Sequence, residues 1–419
     1  MLDSALTQRL RLPGGRPFRL LIASLAVSSV GDWLYNVALL ALVYERTGSA
    51  TWVSLTTAAR VIPVVVLGPI GGVLADRYDR RRLMVGADVI RAGLMVALGL
   101  VAAAGLPILL APALAAAATA ASVVYPPCVA ACTARFVPGE ELQRANALRS
   151  GIGQSAIVLG PALGALVMVV AGVSAAILLN AVTFILSALT VSVIRAGDRF
   201  APPTRAGDAE LPSVLAEIRT GAQALRGAPT AIRLVAADVL GSAVYGLLTV
   251  TLVLIGPKVG AGAGGYGVLL GGFGVGGVIG AAVVGRFDAP SRWRRTLTVA
   301  ILLVGLPVAA LGVAPTLAAA VVLALLGGGG MIVGEVLSET ALPRLLDDGV
   351  LARAYGLVFP ISIAGIVAGS LIAGPLVSLL GLAGAMAAAG AGVLAIGALL
   401  VSRPLDLGAG EPIAVPSTI

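Results

Sequence analysis

Ionisable side chains inside long apolar stretches are the residues of this sequence that can carry chemistry. Asp32 and Asn36 lie one helical turn apart in the first such stretch, and Arg60 lies in the second. A charge at bilayer depth is costly unless it pairs or faces water. The two stretches run in opposite directions, and their depths allow an Asp32–Arg60 pair. We interpret Asp32 as a group that takes up and releases a proton, with Arg60 as its electrostatic partner; a static polar pair between neighbouring helices is the alternative.

Three residues of the second half are further candidates for a polar cavity. Asp238 lies about a third of the way into an apolar stretch, with Tyr245 seven residues later on the same helical face. Glu335 lies near one end of a later stretch, deeper than Glu339. The sequence contains no His, so any proton chemistry must use carboxylates.

Other kinds of chemistry find little support. Cys128 and Cys132 are four residues apart in one apolar helix, which is typical of neither a metal site nor a disulfide, and we interpret both as small buried residues. No G-x-x-x-x-G-K-[ST] segment is present, which excludes ATP hydrolysis by that route. We therefore predict no enzyme activity, no metal and no cofactor.

The composition determines the class of protein. With 58% hydrophobic and 11% charged residues, a soluble chain of 419 residues is excluded. The length suffices for about twelve spans of ~20 residues. The sequence therefore predicts an all-α membrane protein with twelve transmembrane helices. The apolar runs place these at 18–44, 50–75, 83–105, 107–134, 147–172, 174–195, 230–256, 265–286, 296–313, 316–342, 354–380 and 382–402.

The arginines predict the topology. They collect in alternate loops, whereas the other loops hold only Arg46 and Lys258. Since Lys and Arg favour the cytoplasmic side, we expect both termini in the cytoplasm and the chain in the cytoplasmic (inner) membrane. The first apolar run, from Leu20 to about Val43, is too long for a cleaved signal and is predicted to be the first span. The net charge of +8 is spread over loops, which favours contact with anionic membrane lipids and not nucleic acid.

The two halves of the sequence repeat. Arg135 and Arg144 match Arg344 and Arg353 at a constant offset of 209 residues. This predicts two pseudo-symmetric six-helix bundles, 1–195 and 229–419, facing each other across a central cavity. The linker 196–228 is predicted to be cytoplasmic. Its part 211–225 has apolar residues at helical spacing, which indicates an amphipathic helix on the membrane surface.

The loop after the second apolar stretch carries a family resemblance. Its sequence, Gly72-Val73-Leu74-Ala75-Asp76-Arg77-Tyr78-Asp79-Arg80-Arg81-Arg82, resembles the signature loop of the major facilitator superfamily, between the second and third helices. In that family the loop's Asp and Arg are thought to latch the two halves in the outward-open state. The resemblance assigns this latch to Asp76, Arg77 and Arg80, with Gly72 allowing close packing.

Three further points concern this latch. Asp76 is expected near the start of the eleventh span, around Ala354–Tyr355. Asp88 and Arg91, placed just inside the third span, are expected to extend the charge network of the loop. The family pattern has Gly where this chain has Asp79, which leaves the turn geometry open.

A second motif lies in the fifth span. The run from Gly160 and Pro161 to Gly164 resembles the Gly-Pro motif of antiporters in the superfamily, although Ala165 replaces a usual glycine. Close helix packing is the alternative explanation. The arginine typical of the fourth span in proton antiporters is absent, which again points to Asp32 as the coupling residue.

Over its whole length the chain resembles the drug, macrolide and siderophore exporters of the superfamily. The resemblance rests on Gly31-Asp32-Trp33, Arg144-Ala145-Asn146-Ala147-Leu148 and Asn180-Ala181-x-Thr183-Phe184. It implies a monomeric secondary active transporter that exports small amphipathic compounds by proton antiport. A siderophore exporter and a lysophospholipid flippase are alternatives with the same fold. A non-transporting sensor or scaffold is an alternative from another class.

The topology can be tested by labelling. In a Cys128→Ala, Cys132→Ala background, we expect Ser213→Cys to be protected from an impermeant thiol reagent added to intact cells. Ser49→Cys, in a loop predicted to face outward, should be labelled. Labelling of Ser213→Cys from outside would show that the predicted orientation is wrong.

Overall fold

The part of the protein that the structure describes is almost entirely helical. The computed structural model describes residues 13–201, 222–223, 225–262, 264–284, 293–346 and 348–402. The α-helices in this part of the chain are α1 Arg16–Thr47, α2 Ala50–Arg77, α3 Arg80–Ala103, α4 Leu110–Ser122, α5 Tyr125–Phe136, α6 Leu142–Ser192, α7 Pro229–Lys258, α8 Gly265–Val284, α9 Trp293–Leu311, α10 Leu317–Leu345 and α11 Asp348–Val401. Both termini and most of the predicted amphipathic helix at 211–225 lie outside the described residues.

Ten helical stretches among the described residues are long and apolar enough to cross a membrane, with α4 and α5 counted as one stretch. Two of the ten lie in α6 and α11, which have 51 and 54 residues. At 1.5 Å per residue, such helices would be about 75–80 Å long, more than twice the ~30 Å hydrocarbon core. The prediction of an all-α multi-pass membrane protein is confirmed.

Each of these two long helices is broken at one glycine. Gly172 in α6 has φ 83° and ψ 170°, and Gly381 in α11 has φ 67° and ψ 169°. An added Cβ would meet no atom within 4 Å at either position, so the backbone conformation and not packing requires glycine there. The breaks fall at the predicted boundaries between spans five and six and between spans eleven and twelve. The count of twelve spans treats α6 and α11 as two each, and it stays a prediction.

The chain packs as two compact units. The first, here called the N-unit, comprises Met1–Leu42 and Ala59–Ala206; the second, the C-unit, comprises Val43–Ala58 and Gly207–Ile419. The division after Ala206 falls inside the predicted linker, 196–228, whose own boundaries stay a prediction. The end of α1 and the start of α2 belong to the C-unit, where the Gly374 N–H donates a 3.0 Å hydrogen bond to Ser54 Oγ.

The turn between α2 and α3 does not require the glycine of the family pattern. Asp79 is the N-cap of α3, with φ −60° and ψ 119°. Its carboxylate accepts a 2.9 Å hydrogen bond from the backbone N–H of Arg82. Aspartate is among the preferred N-cap residues, and its negative φ involves no strain. With Asp79 in place of the family's Gly, the turn is therefore stabilised by a side-chain cap of α3.

A hydrophobic cluster closes the arginine-rich end of the N-unit. Phe18 of α1 packs in it with Cys128 and Cys132 of α5, all three fully buried. The ring of Phe136 contacts that of Phe200 edge-on at 5.2 Å between centroids. Both cysteines are free thiols within this cluster, which confirms their interpretation as small buried residues.

Glycines bring α6 into backbone contact with α1. A Cβ at Gly160 would lie 2.3 Å from the Cβ of Trp33, and one at Gly164 would lie 2.9 Å from the carbonyl oxygen of Leu34. The Gly160-Pro161-x-x-Gly164 motif thus packs beside Asp32. Helices in lipid associate through such small residues, because no hydrophobic force drives them together there.

The repeat is visible at the equivalent contact of the C-unit. Gly369 is the counterpart of Gly160 at the offset of 209 residues. A Cβ at Gly369 would lie 1.8 Å from the carbonyl oxygen of Ala243 on α7. In each unit, therefore, a glycine packs against the unit's first predicted span. Gly160 of the fifth predicted span contacts α1, and Gly369 of the eleventh contacts α7.

This packing predicts that adding one methyl group at Gly160, but not at Gly153, lowers the stability of the protein. Gly160→Ala should destabilise the protein by about 1–3 kcal/mol, because α1 and α6 must move apart. Gly153→Ala, in the same helix, is the matched control, since its Cβ would meet no atom within 4 Å. Thermal unfolding of the purified proteins in detergent measures both. Equal melting temperatures would show that α1 and α6 accommodate the methyl group.

Candidate functional site

One arginine joins two carboxylates in the interior of the N-unit. Nη2 of Arg91, on α3, lies 2.7 Å from Oδ1 and 2.6 Å from Oδ2 of Asp32, on α1. Nη1 of Arg91 lies 3.5 Å from Oδ1 of Asp88, one turn earlier on α3. We call these three residues the Asp–Arg–Asp cluster. It links α1 to α3 through a single guanidinium.

The exposure of the cluster is graded. The side chain of Asp88 is 0% exposed and that of Arg91 is 8% exposed, whereas that of Asp32 is 35% exposed. The guanidinium carbon of Arg91 lies 3.8 Å from the ring centroid of Phe184, a cation–π contact on α6. Asp32 is therefore the member of the cluster that a proton or ligand can reach from outside the unit.

Two hydroxyl groups lie near the buried end of the cluster. The hydroxyl oxygens of Tyr125, on α5, and Ser187, on α6, are 2.9 Å apart and both residues are buried. Both residues are neighbours of Asp88, but among the described residues neither carboxylate oxygen of Asp88 accepts a hydrogen bond. A buried carboxylate needs such polar neighbours, since the apolar interior offers none.

The family-like motifs of α1 and α6 meet beside this cluster. A Cβ at Gly31 would lie 2.3 Å from Oδ1 of Asn180 and from Oγ1 of Thr183. The Thr183 hydroxyl donates a 2.8 Å hydrogen bond to Asn180 Oδ1. Gly31 is thus the small residue that lets α1 approach the side of α6 that also carries Phe184. The two motifs set the position of Asp32 against Arg91.

The predicted Asp32–Arg60 pair is wrong. Arg60 Nε donates a 3.0 Å hydrogen bond to Tyr35 Oη, and Nη1 donates to Asn36 Oδ1. Arg60 of α2 and Asn36 of α1 are at similar distances from the loop joining the two helices, whereas Asp32 is one turn, about 6 Å, further along α1. Asn36 and Arg60 are brought together, as a pair separate from the ionic cluster.

The assignment of Asp88 and Arg91 to the loop network is also wrong. Helix α3 begins at Arg80, not near Leu83, so these residues lie about 12 and 16 Å along it from its first residue. At that depth their partner is Asp32. The sequence signal for this was an Asp and an Arg three residues apart within one apolar helix, whose depth was underestimated.

Within the signature loop, Arg80 has a structural role. Its side chain is 4% exposed and lies 3.7 Å from Asp76, which is 68% exposed. It donates hydrogen bonds to the carbonyl oxygens of Ala75 at 3.1 Å and of Ala201 at 3.3 Å. Arg80 therefore ties the α2–α3 turn to the segment that follows α6. The latch between the two halves, and the position of Asp76 near Ala354–Tyr355, stay predictions.

The close contact near this loop is made by Gly71 and not by Gly72. A Cβ at Gly71 would lie 2.2 Å from the carbonyl oxygen of Val123, whereas one at Gly72 would meet no atom within 4 Å. The packing role predicted for Gly72 is therefore taken by its neighbour in this structure. Arg77 is exposed in the last turn of α2.

The candidates of the second half lie on two helices of the C-unit, α7 and α10. Asp238 on α7 accepts a hydrogen bond from the Ser362 hydroxyl of α11, and no arginine among the described residues forms an ion pair with it. The ring of Tyr245 contacts that of Phe273 at 6.1 Å. Glu335 is half-buried on α10. The first predicted span of each half thus carries a carboxylate, Asp32 on α1 and Asp238 on α7, and only Asp32 forms an ion pair with an arginine among the described residues.

The cluster makes a prediction about stability. Arg91→Gln should reduce the free energy of unfolding by about 3–5 kcal/mol, because it leaves the Asp88 carboxylate buried without a counter-ion. Arg60→Gln, which removes an arginine bonded to neutral groups, should cost less. Adding Asp88→Asn to Arg91→Gln should restore most of the loss. Unfolding in detergent measures all four proteins, and no recovery in the double variant would contradict the pairing.

Comparisons with known proteins agree with this fold. Macrolide efflux protein A of Streptococcus pyogenes is 29% identical over 181 residues, which cover 42% of this chain and 45% of that protein. Multidrug efflux pump Tap of Mycobacterium tuberculosis is 28% identical over 198 residues, covering 43% and 44%. The matched part is thus less than half the length of these relatives. The nucleoside transporter NupG superposes with a TM-score of 0.73 over 93% of this chain and 99% of its own, at 10% identity, which shows the fold alone.

A family model covers nearly the whole chain. The model described as transmembrane secretion effector matches residues 15–414. This range includes the Asp–Arg–Asp cluster, the signature loop and all but the terminal residues of the two units. The relatives and the similar structures are transporters and not enzymes. The chain therefore belongs to the transmembrane secretion effector family of the major facilitator superfamily.

Proposed function

We propose that this protein exports small amphipathic compounds across the cytoplasmic membrane in exchange for protons. The names of the macrolide and multidrug efflux relatives support the substrate class. The observation that carries the coupling is the Asp–Arg–Asp cluster, in which a single guanidinium serves two carboxylates. The macrolide relatives make a macrolide a suitable first probe.

The charge of the cluster supplies the coupling. With both carboxylates ionised, Arg91 balances one of them and the cluster retains one negative charge. An unbalanced charge at bilayer depth is costly. One proton on Asp32 removes it, and so does one cationic group of a bound substrate. Since Asp32 is 35% exposed and Asp88 0%, Asp32 is the group that exchanges the proton.

Asp88 has a separate role in this scheme. When Asp32 is protonated, its ion pair with Arg91 is lost. A buried guanidinium without a counter-ion would be unstable. Asp88, 3.5 Å away, keeps Arg91 paired in that state. The other titratable or charged groups near the cluster are Tyr35 and Arg60, bonded to each other, and Tyr125. The protonation of Asp32 therefore changes one ion pair and leaves the other in place.

Transport by Asp32→Asn tests the coupling. The substitution keeps the shape and hydrogen bonding of the side chain and removes its titration. In proteoliposomes with an imposed pH gradient, we expect the rate of concentrative transport of a radiolabelled macrolide to fall at least ~10-fold. A tenfold lower rate corresponds to an activation free energy higher by about 1.4 kcal/mol. Downhill movement of the macrolide should persist. Asp238→Asn is the matched control, since Asp238 has a hydroxyl partner and should keep most of the activity.

Two results would contradict the proposal. If Asp32→Asn still drives concentrative, uncoupler-sensitive transport, the proton is carried elsewhere, with Asp238 and Glu335 as the next candidates. If cells with and without the protein accumulate a broad panel of macrolides and other amphipathic drugs equally, the drug-export part of the proposal is wrong.

A further inference from the structure

A cavity lies at the arginine-rich end of the N-unit. It is beside the first turn of α3, whereas the Asp–Arg–Asp cluster lies two to three turns further along that helix. Its volume is about 500 Å³, and its walls include Arg16, Arg81, Arg195, Leu20 and Val193. These residues come from the first turns of α1 and α3 and from the segment directly after α6. The cavity therefore combines three guanidinium groups with apolar walls.

The charges of this cavity favour an anion. Among the residues that the structure describes, none of the three arginines forms an ion pair with a carboxylate. The N-termini of α1 and α3 add the positive ends of two helix dipoles. Arginine presents its donors in a planar fork that matches phosphate oxygens. A phosphate group would pair with guanidiniums that form no ion pair within the described part of the chain.

An apolar stripe leads away from the cavity along α6. Val182, Leu186, Leu189 and Val193 follow one another at intervals of four, three and four residues, so they share one helical face. Their exposed fractions are 47%, 49%, 58% and 63%. The stripe is about 16 Å long, close to half of a ~30 Å hydrocarbon core. It has the length of an acyl chain in one leaflet.

We propose that this cavity binds an anionic phospholipid. The phosphate lies between Arg16, Arg81 and Arg195, and an acyl chain follows the stripe from Val193 to Val182. The stripe distinguishes a lipid from free phosphate, because a soluble anion would make no use of an exposed apolar face that starts at the cavity wall. The predicted cytoplasmic position of this end agrees with the negative charge of that leaflet.

The test compares matched triple variants of the full-length protein. Arg16→Gln, Arg81→Gln and Arg195→Gln remove the three cavity charges. Arg19→Gln, Arg82→Gln and Arg199→Gln remove three exposed charges from neighbouring positions outside the cavity wall. Native mass spectrometry measures the affinity for phosphatidylglycerol in detergent. We expect the cavity variant to bind on the order of 100-fold less tightly, at roughly 1 kcal/mol per arginine, and the control variant to bind like wild type.

Additional ligands separate the sources of phosphate. Phosphatidylglycerol should raise the melting temperature of wild type, whereas phosphatidylcholine with the same chains and glycerol 3-phosphate without chains should not. Stabilisation by glycerol 3-phosphate equal to that by phosphatidylglycerol would replace the lipid with a soluble anion. Equal effects of the two lipids, or equal losses in both triple variants, would also overturn the proposal.

The single variant Arg195→Gln, at an exposed position, is the test if the cavity triple variant does not fold. It should still weaken phosphatidylglycerol binding several-fold, and unchanged binding would contradict the site.

Discussion

The pairing of Arg91 with two carboxylates is the interaction on which the interior of the N-unit depends. Asp88 is fully buried and needs a cation, and the guanidinium that serves it also reaches α1 through Asp32. Phe184 covers the guanidinium from α6. Three helices are therefore held around one charge, and a change in the charge of Asp32 alters the interaction that links α1 to α3.

Glycine contacts restrict how α1 can respond to such a change. Gly31 of α1 packs against side chains of α6. Further along the same interface, Gly160 and Gly164 of α6 pack against the backbone of α1. Since these contacts leave no room for a methyl group, α1 cannot slide against α6 without losing them. In the mechanism that we propose, protonation of Asp32 first changes its ion pair with Arg91 on α3, while the packing of α1 against α6 is unchanged.

Periodicity and composition predicted the elements well, because apolar runs and arginine-rich loops are local properties of the sequence. The break at Gly172, the buried cysteines and the short α2–α3 turn all follow from such local signals. The partners of Asp32 and Arg60 did not, because they depend on helix depth to within one turn and on which neighbour lies beside α1. The predicted start of α3 was three residues too late, which placed Arg91 one turn closer to the signature loop than it is. Which of two adjacent glycines, Gly71 or Gly72, makes the close contact depends on the rotation of α2, which the sequence pattern does not specify.

The arginines of α3 show how depth alone gives one residue type different roles. Arg80, at the start of the helix, is buried and donates to backbone carbonyls, which stabilises the turn. Arg81, the next residue, is half-buried and lines the cavity that we assign to a phospholipid. Arg91, three turns further, meets carboxylates because nothing weaker neutralises a charge at that depth. An arginine near the membrane surface can exchange its partners with water and lipid, whereas Arg91 can change partner only if a carboxylate beside it changes its charge. That dependence is the reason why we propose the Asp–Arg–Asp cluster, and not the more numerous surface arginines, as the site that couples proton uptake to a movement of helices.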